Sequence, residues 1–197
     1  VPNQRERVLA AAVKLFRRNG YHATTMDEVA ASVGLNKGTL YHYFASKSEI
    51  LFTIFEDRIA AGRSILPELD ALPPEAAVRR FVEHQVGTIW SSTDAAAVYY
   101  QESRFVRQYV DRQQYARIRA GETEIGTALE RVIQRGIEAG DFAETDVYVA
   151  AQGIVGMCAW IVSWWEQARR RAMAEVADQY ATQMLHGLRA PRAPRAG

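Results

Sequence analysis

Lys37, Gly38, Thr39, Tyr41 and His42 stand almost side by side in the chain. Together they supply cationic and hydroxyl donors, aromatic edges and one position without a side chain. Lys37 can donate to guanine, Thr39 can hydrogen-bond a base or touch a thymine methyl, and Tyr41 and His42 are further candidates for reading base edges. Gly38 would let the backbone approach closely. Packing of Tyr41 against the first helix is its structural alternative. Catalysis has no comparable constellation. His22, His42, His84 and His186 are scattered without metal-ligand spacing, Cys158 lies in an apolar run, and neither a serine elbow nor a glycine-rich phosphate loop is present. The expectation is a binding protein and not an enzyme, with no metal and no cofactor.

The elements that must position these side chains are marked around them. Thr25 followed three residues later by Glu28 is a capping box, so a helix begins at Met26. Met26, Val29, Ala30 and Val33 recur at helical spacing until Gly34, which reaches the left-handed region cheaply and stops the helix. Asn36 caps a second short helix over Lys37 to Tyr43, with Leu40 and Phe44 four apart as inward anchors. Two short helices joined by a glycine-containing turn, the second with polar and aromatic groups around most of its girth, form a helix-turn-helix suited to a major groove. The alternative is a helical hairpin buried in an ordinary bundle.

The segment from Arg7 to about Phe55 resembles the TetR family of transcriptional regulators. The resemblance is carried by Ala11, Leu15, Phe16, Gly20, Thr24, Thr25, Val29, Ala30, Val33, Gly34, Gly38, Leu40, Tyr41, Tyr43, Phe44, Lys47 and Leu51, and most specifically by Gly-Thr-Leu-Tyr-His-Tyr-Phe followed by lysine. It implies that Thr25, Tyr43 and Lys47 donate to phosphate oxygens and fix register without reading sequence. It also implies a homodimer, a double-stranded operator and a helix after the reader that links effector pocket to DNA domain.

Composition fits this reading without proving it. A chain of 197 residues, 48% hydrophobic and 24% charged, with few Pro and Gly, suits an all-α globular protein. The formal net charge is +1, but residues 1 to 48 hold seven Lys and Arg against three Asp and Glu. The cationic excess therefore sits with the reading helix, as phosphate neutralisation requires. Cys158 stands alone and cannot form an internal disulfide, and no signal peptide is recognised, so a cytoplasmic protein is expected. The apolar run Ile154 to Trp165 is interrupted by Gly156 and Ser163, and no membrane segment is expected.

Along the rest of the chain the patterns predict helices over 3–19, from Ser46 to about Gly62, Pro74 to Trp90, Ala95 to Arg107, Asp111 to Ala139, Val147 to Arg170 and Ala172 to Leu188. A loop is expected between Leu66 and Pro74. The domains expected are a helix-turn-helix domain over 1–46, a helical ligand-binding and dimerisation domain over 47–188, and a disordered tail over 189–197. In the last two helices Ala150, Ala151, Gly153, Gly156 and Ala159 lie among Ile154, Val155, Ile161 and Val162. Such small residues let another helix come close, either an internal neighbour or the same helices of a second copy. Apolar residues on more than one side favour the homodimer. Its operator would be a palindrome, with reading helices about 34 Å apart or somewhat more.

The effector residues expected are Trp90, Tyr99, Tyr100, Glu102, Arg104, Phe105, Tyr109, Arg112, Tyr115, Gln152, Trp160 and Trp164. They concentrate amphipathic rings, whose polar atoms want partners, around a cavity for a small hydrophobic effector. The run from Tyr99 to Arg104, with Tyr109, Arg112, Tyr115 and Arg119, looks like the TetR regulators of fatty-acid and sterol breakdown that respond to acyl-CoA thioesters. That likeness implies arginines at the phosphates of coenzyme A. The alternatives are arginines paired with carboxylates on solvated faces, and a regulator of efflux or stress genes that senses a drug-like compound. The mechanism expected is repression: ligand favours a splayed dimer, and operator is released. Activation is the alternative.

Overall fold

The capping signals decide where the first helices begin. In the computed structural model, which describes residues 3–189, α1 (Gln4–Asn19) starts at Asn3, whose side chain accepts from the Glu6 amide while Glu6 reaches back to the Asn3 amide. Thr25 and Glu28 make the same reciprocal pair at α2 (Met26–Ser32). Asn36 accepts from the Thr39 amide at α3 (Lys37–Tyr43). These bonds satisfy amides that the first turn of a helix leaves without a partner.

Between α2 and α3, Gly34 at φ 71° closes the turn. The Leu35 amide bonds back to Ala30 and the Gly34 amide to Ala31, the paired bonds by which a left-handed residue ends a helix. α4 (Lys47–Arg63) follows, with Ser46 accepting from the Glu49 amide and Glu49 accepting from Ala45. Later come α5 (Leu66–Ala71), α6 (Pro74–Ser91), α7 (Thr93–Glu102), α8 (Val106–Tyr109), α9 (Arg112–Glu138), α10 (Val147–Ala159), a 3-10 segment (Trp160–Trp164), α11 (Trp165–Ala168) and α12 (Met173–Leu188). The fold is all-α, with one isolated bridge between Phe142 and Arg189 among the described residues.

The chain divides into two compact units, the first formed by Val1–Ala60 with Ser92–Ala120 and the second by Ala61–Ser91 with Gly121–Gly197. The boundary expected at residue 46 thus lies inside the first unit. Its core explains why. Val8, Ala12 and Phe16 of α1, Val29 of α2, Leu40 of α3 and Phe44 share one buried cluster with Ile50, Leu51, Ile54 and Phe55 of α4, and Val98, Val106 and Ile118 of α7 to α9 complete it. Full burial of a large apolar side chain is worth about 1.5–3 kcal/mol. The three N-terminal helices, two of them only seven residues long, share their core with α4 and α7 to α9.

The second unit is built on α6 against α12. Val78, Phe81, Val82, Val86 and Ile89 of α6 and Val176, Ala177, Ala181 and Leu185 of α12 are buried there, as are Leu129, Val132 and Ile133 of α9 and Ala151, Ile154 and Cys158 of α10. Arg79 of α6 donates to Asp178 of α12 at 2.6 Å. The Phe142 ring lies on Gly136, where a Cβ would come within 2.1 Å of it.

Three element assignments differ from the sequence expectation. The loop expected after Leu66 is the short helix α5, because Pro67 sits in its first turn, where no amide is needed. Arg135 closes its far end by donating to the carbonyls of Leu69, Asp70 and Leu72. The helix expected from Ala95 to Arg107 ends at Glu102, and the chain restarts at Val106. The helix expected from Val147 to Arg170 tightens into 3-10 geometry where Trp160, Ile161, Val162, Ser163 and Trp164 crowd together. Ile161 is buried there while Trp160 is 67% exposed, and β-branched neighbours resist an ordinary helical turn.

Arg189, expected to begin a free tail, is the C-cap of α12 and pairs with Glu75 at 2.7 Å. The rest of that expected tail, 190–197, lies outside the described residues. By length and composition Val147–Ala168 is apolar enough to cross a membrane, contrary to the reading of Gly156 and Ser163 as interruptions. Ala151, Ile154, Cys158, Ile161 and Ala168 nevertheless pack into the second unit.

Candidate nucleic-acid interface and effector residues

The reading helix is held from beneath. Leu40 and Phe44 are wholly buried, which turns Lys37, Gly38, Tyr41 and His42 outward to solvent and leaves Thr39 half-buried. Tyr41 is 43% exposed. Tyr43 is partly buried against the shared core. A Cβ on Gly38 would meet only the Asn36 side chain, at 3.4 Å, so the helix itself does not require glycine there.

Three of the expected donors already have partners, one of them across the motif. The Lys37 ammonium pairs with the Asp27 carboxylate of α2 at 3.0 Å. That hydrogen bond, with the charge of Asp27, raises the Lys37 pKa and keeps the lysine cationic. Both groups are largely exposed, and such a pair contributes little to stability, but it orients the side chain. The Thr39 hydroxyl donates to Asn36 at 3.0 Å, and the Thr25 hydroxyl donates to Glu28 at 2.9 Å. The bond from the Thr25 backbone amide holds the Glu28 carboxyl below the usual glutamate range.

Lys47, expected at a phosphate, is also held within the unit. Its ammonium donates to the carbonyls of Tyr21 at 2.9 Å, His22 at 3.1 Å and Thr24 at 2.7 Å, and it stands 4.5 Å from the Tyr21 ring centroid. An ammonium has three protons, and all three are used inside the unit. Burial lowers its pKa, while Glu28 and Glu102 work against that shift. Tyr109 lies 4.5 Å from Tyr21 between ring centroids, and Tyr21 also meets Phe16 edge-on at 5.1 Å. Burial, Tyr109 and Glu102 push the Tyr21 pKa up to about 12, so its hydroxyl stays neutral.

The expected effector residues fall in both units. In the first, the Tyr99 ring stands between Phe55 at 4.6 Å and Tyr100 at 5.1 Å, and the Tyr100 hydroxyl accepts from Arg58 at 3.2 Å. Tyr99, Tyr109 and Tyr115 pack partly buried on the core, and Glu102 is half-buried. Arg104, Phe105 and Arg112 are exposed. Among the neighbouring arginines, Arg107 lies over the Tyr115 ring at 5.8 Å and Arg117 pairs with Glu56.

In the second unit Trp90 meets Trp165 edge-on at 4.8 Å, and Trp164 lies 6.3 Å from Tyr180. Gln152 and Trp160 do not turn into this unit. They are exposed on the same outward side of α10 as Gly153 and Gly156, because Ala151, Ile154 and Cys158 take the inward positions. Tyr148 and Val149 are also exposed, at 60% and 63%. A Cβ on Gly153 or Gly156 would meet nothing within 4 Å. Apart from Gln152, the outward side of α10 is therefore apolar, close to its backbone and uncovered.

Sequence reasoning missed Tyr21, Asp27 and Arg58, and the pairing of Trp165 with Trp90. Asp27 was legible as an acid in the first turn of a helix, ahead of a second helix that opens on lysine. Tyr21, Arg58 and Trp165 acquire partners far along the chain, which spacing does not encode.

Residues 8–54 match the family described as bacterial regulatory proteins, tetR family, and residues 71–188 match the tetracyclin repressor-like C-terminal domain. The HTH-type transcriptional repressor KstR2 of Rhodococcus jostii is 29% identical over 194 residues, which cover 95% of this chain and 92% of that protein. The TetR family regulator PfmR of Thermus thermophilus superposes with a TM-score of 0.84 at 30% identity, covering 97% of this chain and all of the other. AibR, solved with isovaleryl coenzyme A and operator DNA, gives a TM-score of 0.78 at 22% identity over 96% of this chain and all of its own, a likeness of fold.

Proposed function

Since the chain belongs to the TetR family of bacterial regulatory proteins, we propose that it is a dimeric, ligand-responsive transcriptional repressor acting on a palindromic operator. The observation that carries the reading is α3: Leu40 and Phe44 are buried beneath it while Lys37, Gly38, Tyr41 and His42 face water. A segment of eight residues, Lys37 to Phe44, that holds two apolar anchors down and raises a cation, an imidazole and a phenol suits a groove better than a core. Lys37, Thr39, Tyr41 and His42 read base edges, Gly38 admits the backbone, and Thr25 and Tyr43 stand at phosphates.

A single reader binds weakly, and affinity comes from two joined copies. The uncovered side of α10, with Val149, Gly153, Gly156 and Trp160, supplies the seam together with α12. Gly153 and Gly156 leave room for another helix to come close, and the exposed Trp160 supplies apolar area to bury.

The effector is a small hydrophobic compound of the acyl-CoA thioester class. Support comes from the resemblance of the Tyr99 to Arg104 run to acyl-CoA-responsive regulators and from AibR, whose fold this chain shares and which was solved with isovaleryl coenzyme A. α4 begins beside the reader at Lys47 and continues to Arg63, and it transmits the change. Ligand acts only through its differential affinity for the two arrangements.

The test is a duplex selected from a random pool by the purified protein, titrated with and without CoA thioesters and their free acids. Release by a thioester and not by its acid supports the reading. Tight DNA binding with no response to any thioester would replace the acyl-CoA effector with a drug-like one. Failure to select a duplex would remove the repressor itself.

A further inference from the structure

Asp27 and Lys37 stand on different helices of the helix-turn-helix, yet their charged groups meet. The Lys37 ammonium lies 3.0 and 3.1 Å from the two carboxylate oxygens of Asp27. The fold turns both outward, because Met26, Val29 and Ala30 take the buried positions of α2 while Leu40 and Phe44 anchor α3. Glu28, the other acid in the first turn of α2, is spent on the Thr25 cap. Asp27 is thus the carboxylate that α2 presents beside the reading residues. Tyr41 follows Lys37 by four positions and shares its face of α3.

A carboxylate on a surface that approaches DNA repels phosphates. An exposed ion pair and an acid in a first turn each contribute little stability in return. What the pair does offer is a donor beside an acceptor at hydrogen-bond spacing. A G·C pair shows the complement in the major groove: guanine O6 accepts, and beside it cytosine N4 donates its free proton. Those two atoms are bonded to each other at about 2.9 Å, the same separation.

The order of donor and acceptor discriminates. Lys37 over O6 and N7 of guanine leaves Asp27 over N4 of the paired cytosine. In C·G or A·T the order is reversed, and the ammonium meets an amino group. T·A keeps the order but puts a methyl where guanine offers N7, a second acceptor for the ammonium.

We propose that Asp27 is a specificity-determining residue which, joined to Lys37, reads one G·C pair in each half-site, the lysine taking guanine and the aspartate the paired cytosine. The proposal rests on the DNA-binding reading of the first unit.

Asp27→Ala, Lys37→Met and the double variant are titrated against the duplex that the wild type selects and against duplexes with each base pair of a half-site replaced in turn. The wild type should prefer G·C at one position by roughly tenfold or more. Each single variant should lose that preference at that same position and keep the others, and the double variant should lose no more than either one. Both side chains are largely exposed, so the urea midpoints should stay near that of the wild type. Tighter binding of Asp27→Ala to every duplex, with all preferences kept, marks an acid that only repels phosphates and overturns the proposal. Preferences lost at two different positions overturn it too. So does a Lys37→Met salt slope lower by about 0.9 per protomer with preferences intact.

A change on the DNA side reads the carboxylate directly. N4-methylcytosine at that position replaces the groove-facing proton and still pairs with guanine. It should weaken the wild type about as much as Asp27→Ala does and leave Asp27→Ala unaffected, whereas an equal penalty in both proteins overturns the proposal. If Asp27→Ala does not fold, the wild type decides alone: a loss confined to that cytosine, with methylated cytosines elsewhere as the control, supports the pair, and no loss overturns it. Selection of no duplex by the wild type would remove the DNA-binding reading and this proposal with it. A selected duplex without a shared G·C position overturns the pair alone.

Discussion

α3 and α10 both show one side to water and fasten the other to a core, yet the exposed sides have opposite chemistry. α3 shows Lys37, Tyr41 and His42, groups that water solvates well. α10 shows Tyr148, Val149, Gly153 and Gly156 and leads into Trp160. The first surface is stable uncovered and can wait for DNA. The second loses free energy for as long as it stays wet, at roughly 25 cal/mol per Å² of apolar area. The contrast is what the proposed roles require, reversible recognition for the first surface and permanent association for the second.

The largest expected effect breaks the α10 side. Gly156→Glu puts a charged chain where a Cβ now meets nothing, so the protomer should fold normally but sediment as a monomer at micromolar concentration. Loss of the second reader should then weaken binding to a full palindrome by about 10²- to 10⁴-fold. A Gly156→Glu protein that remains dimeric would place the seam elsewhere.

Next comes the anchor beneath α3. Phe44 is fully buried, and Phe44→Ala should lower unfolding stability by about 3–5 kcal/mol in urea. A loss below ~1 kcal/mol would contradict a core shared by the reader and α4.

On the exposed side of α3 the two quantities should separate. Tyr41→Ala and His42→Ala should each weaken the selected duplex by about 1–3 kcal/mol with relaxed preference at one base position. The urea midpoint should hardly move. Equal weakening across unrelated sequences would assign them to phosphates.

The smallest effect is at the cap of α2. The Glu28 carboxyl is held below its ordinary range by the Thr25 amide. The stabilisation it gives is therefore complete above the unfolded-state value and lost as pH falls through the lower folded-state value. Glu28→Gln should make the acid limb of the stability profile shallower below about pH 4. An unchanged acid limb would show that the box contributes nothing there.

The start of each early helix was legible because the signal is local. Asn3, Thr25 and Asn36 satisfy amides within three residues of themselves, and Gly34 ends α2 by its own backbone freedom. The same locality explains why the outward positions of α3 followed from Leu40 and Phe44. Prolines misled the reading of 66–74, since Pro67 breaks a helix interior but fits a first turn.

The sequence by itself determined an all-α chain, the helix-turn-helix and the face of α3 that meets solvent, because caps and periodicity act over one or two turns. Only the tertiary structure decided that α4 and α7 to α9 share the core of the first unit, that Trp160 and Gln152 face outward, and that Lys47 spends its protons on Tyr21, His22 and Thr24. Those outcomes depend on partners more than twenty residues away or on the packing of whole helices. A side chain's chemistry states what it can bind, and the fold decides which partner reaches it first.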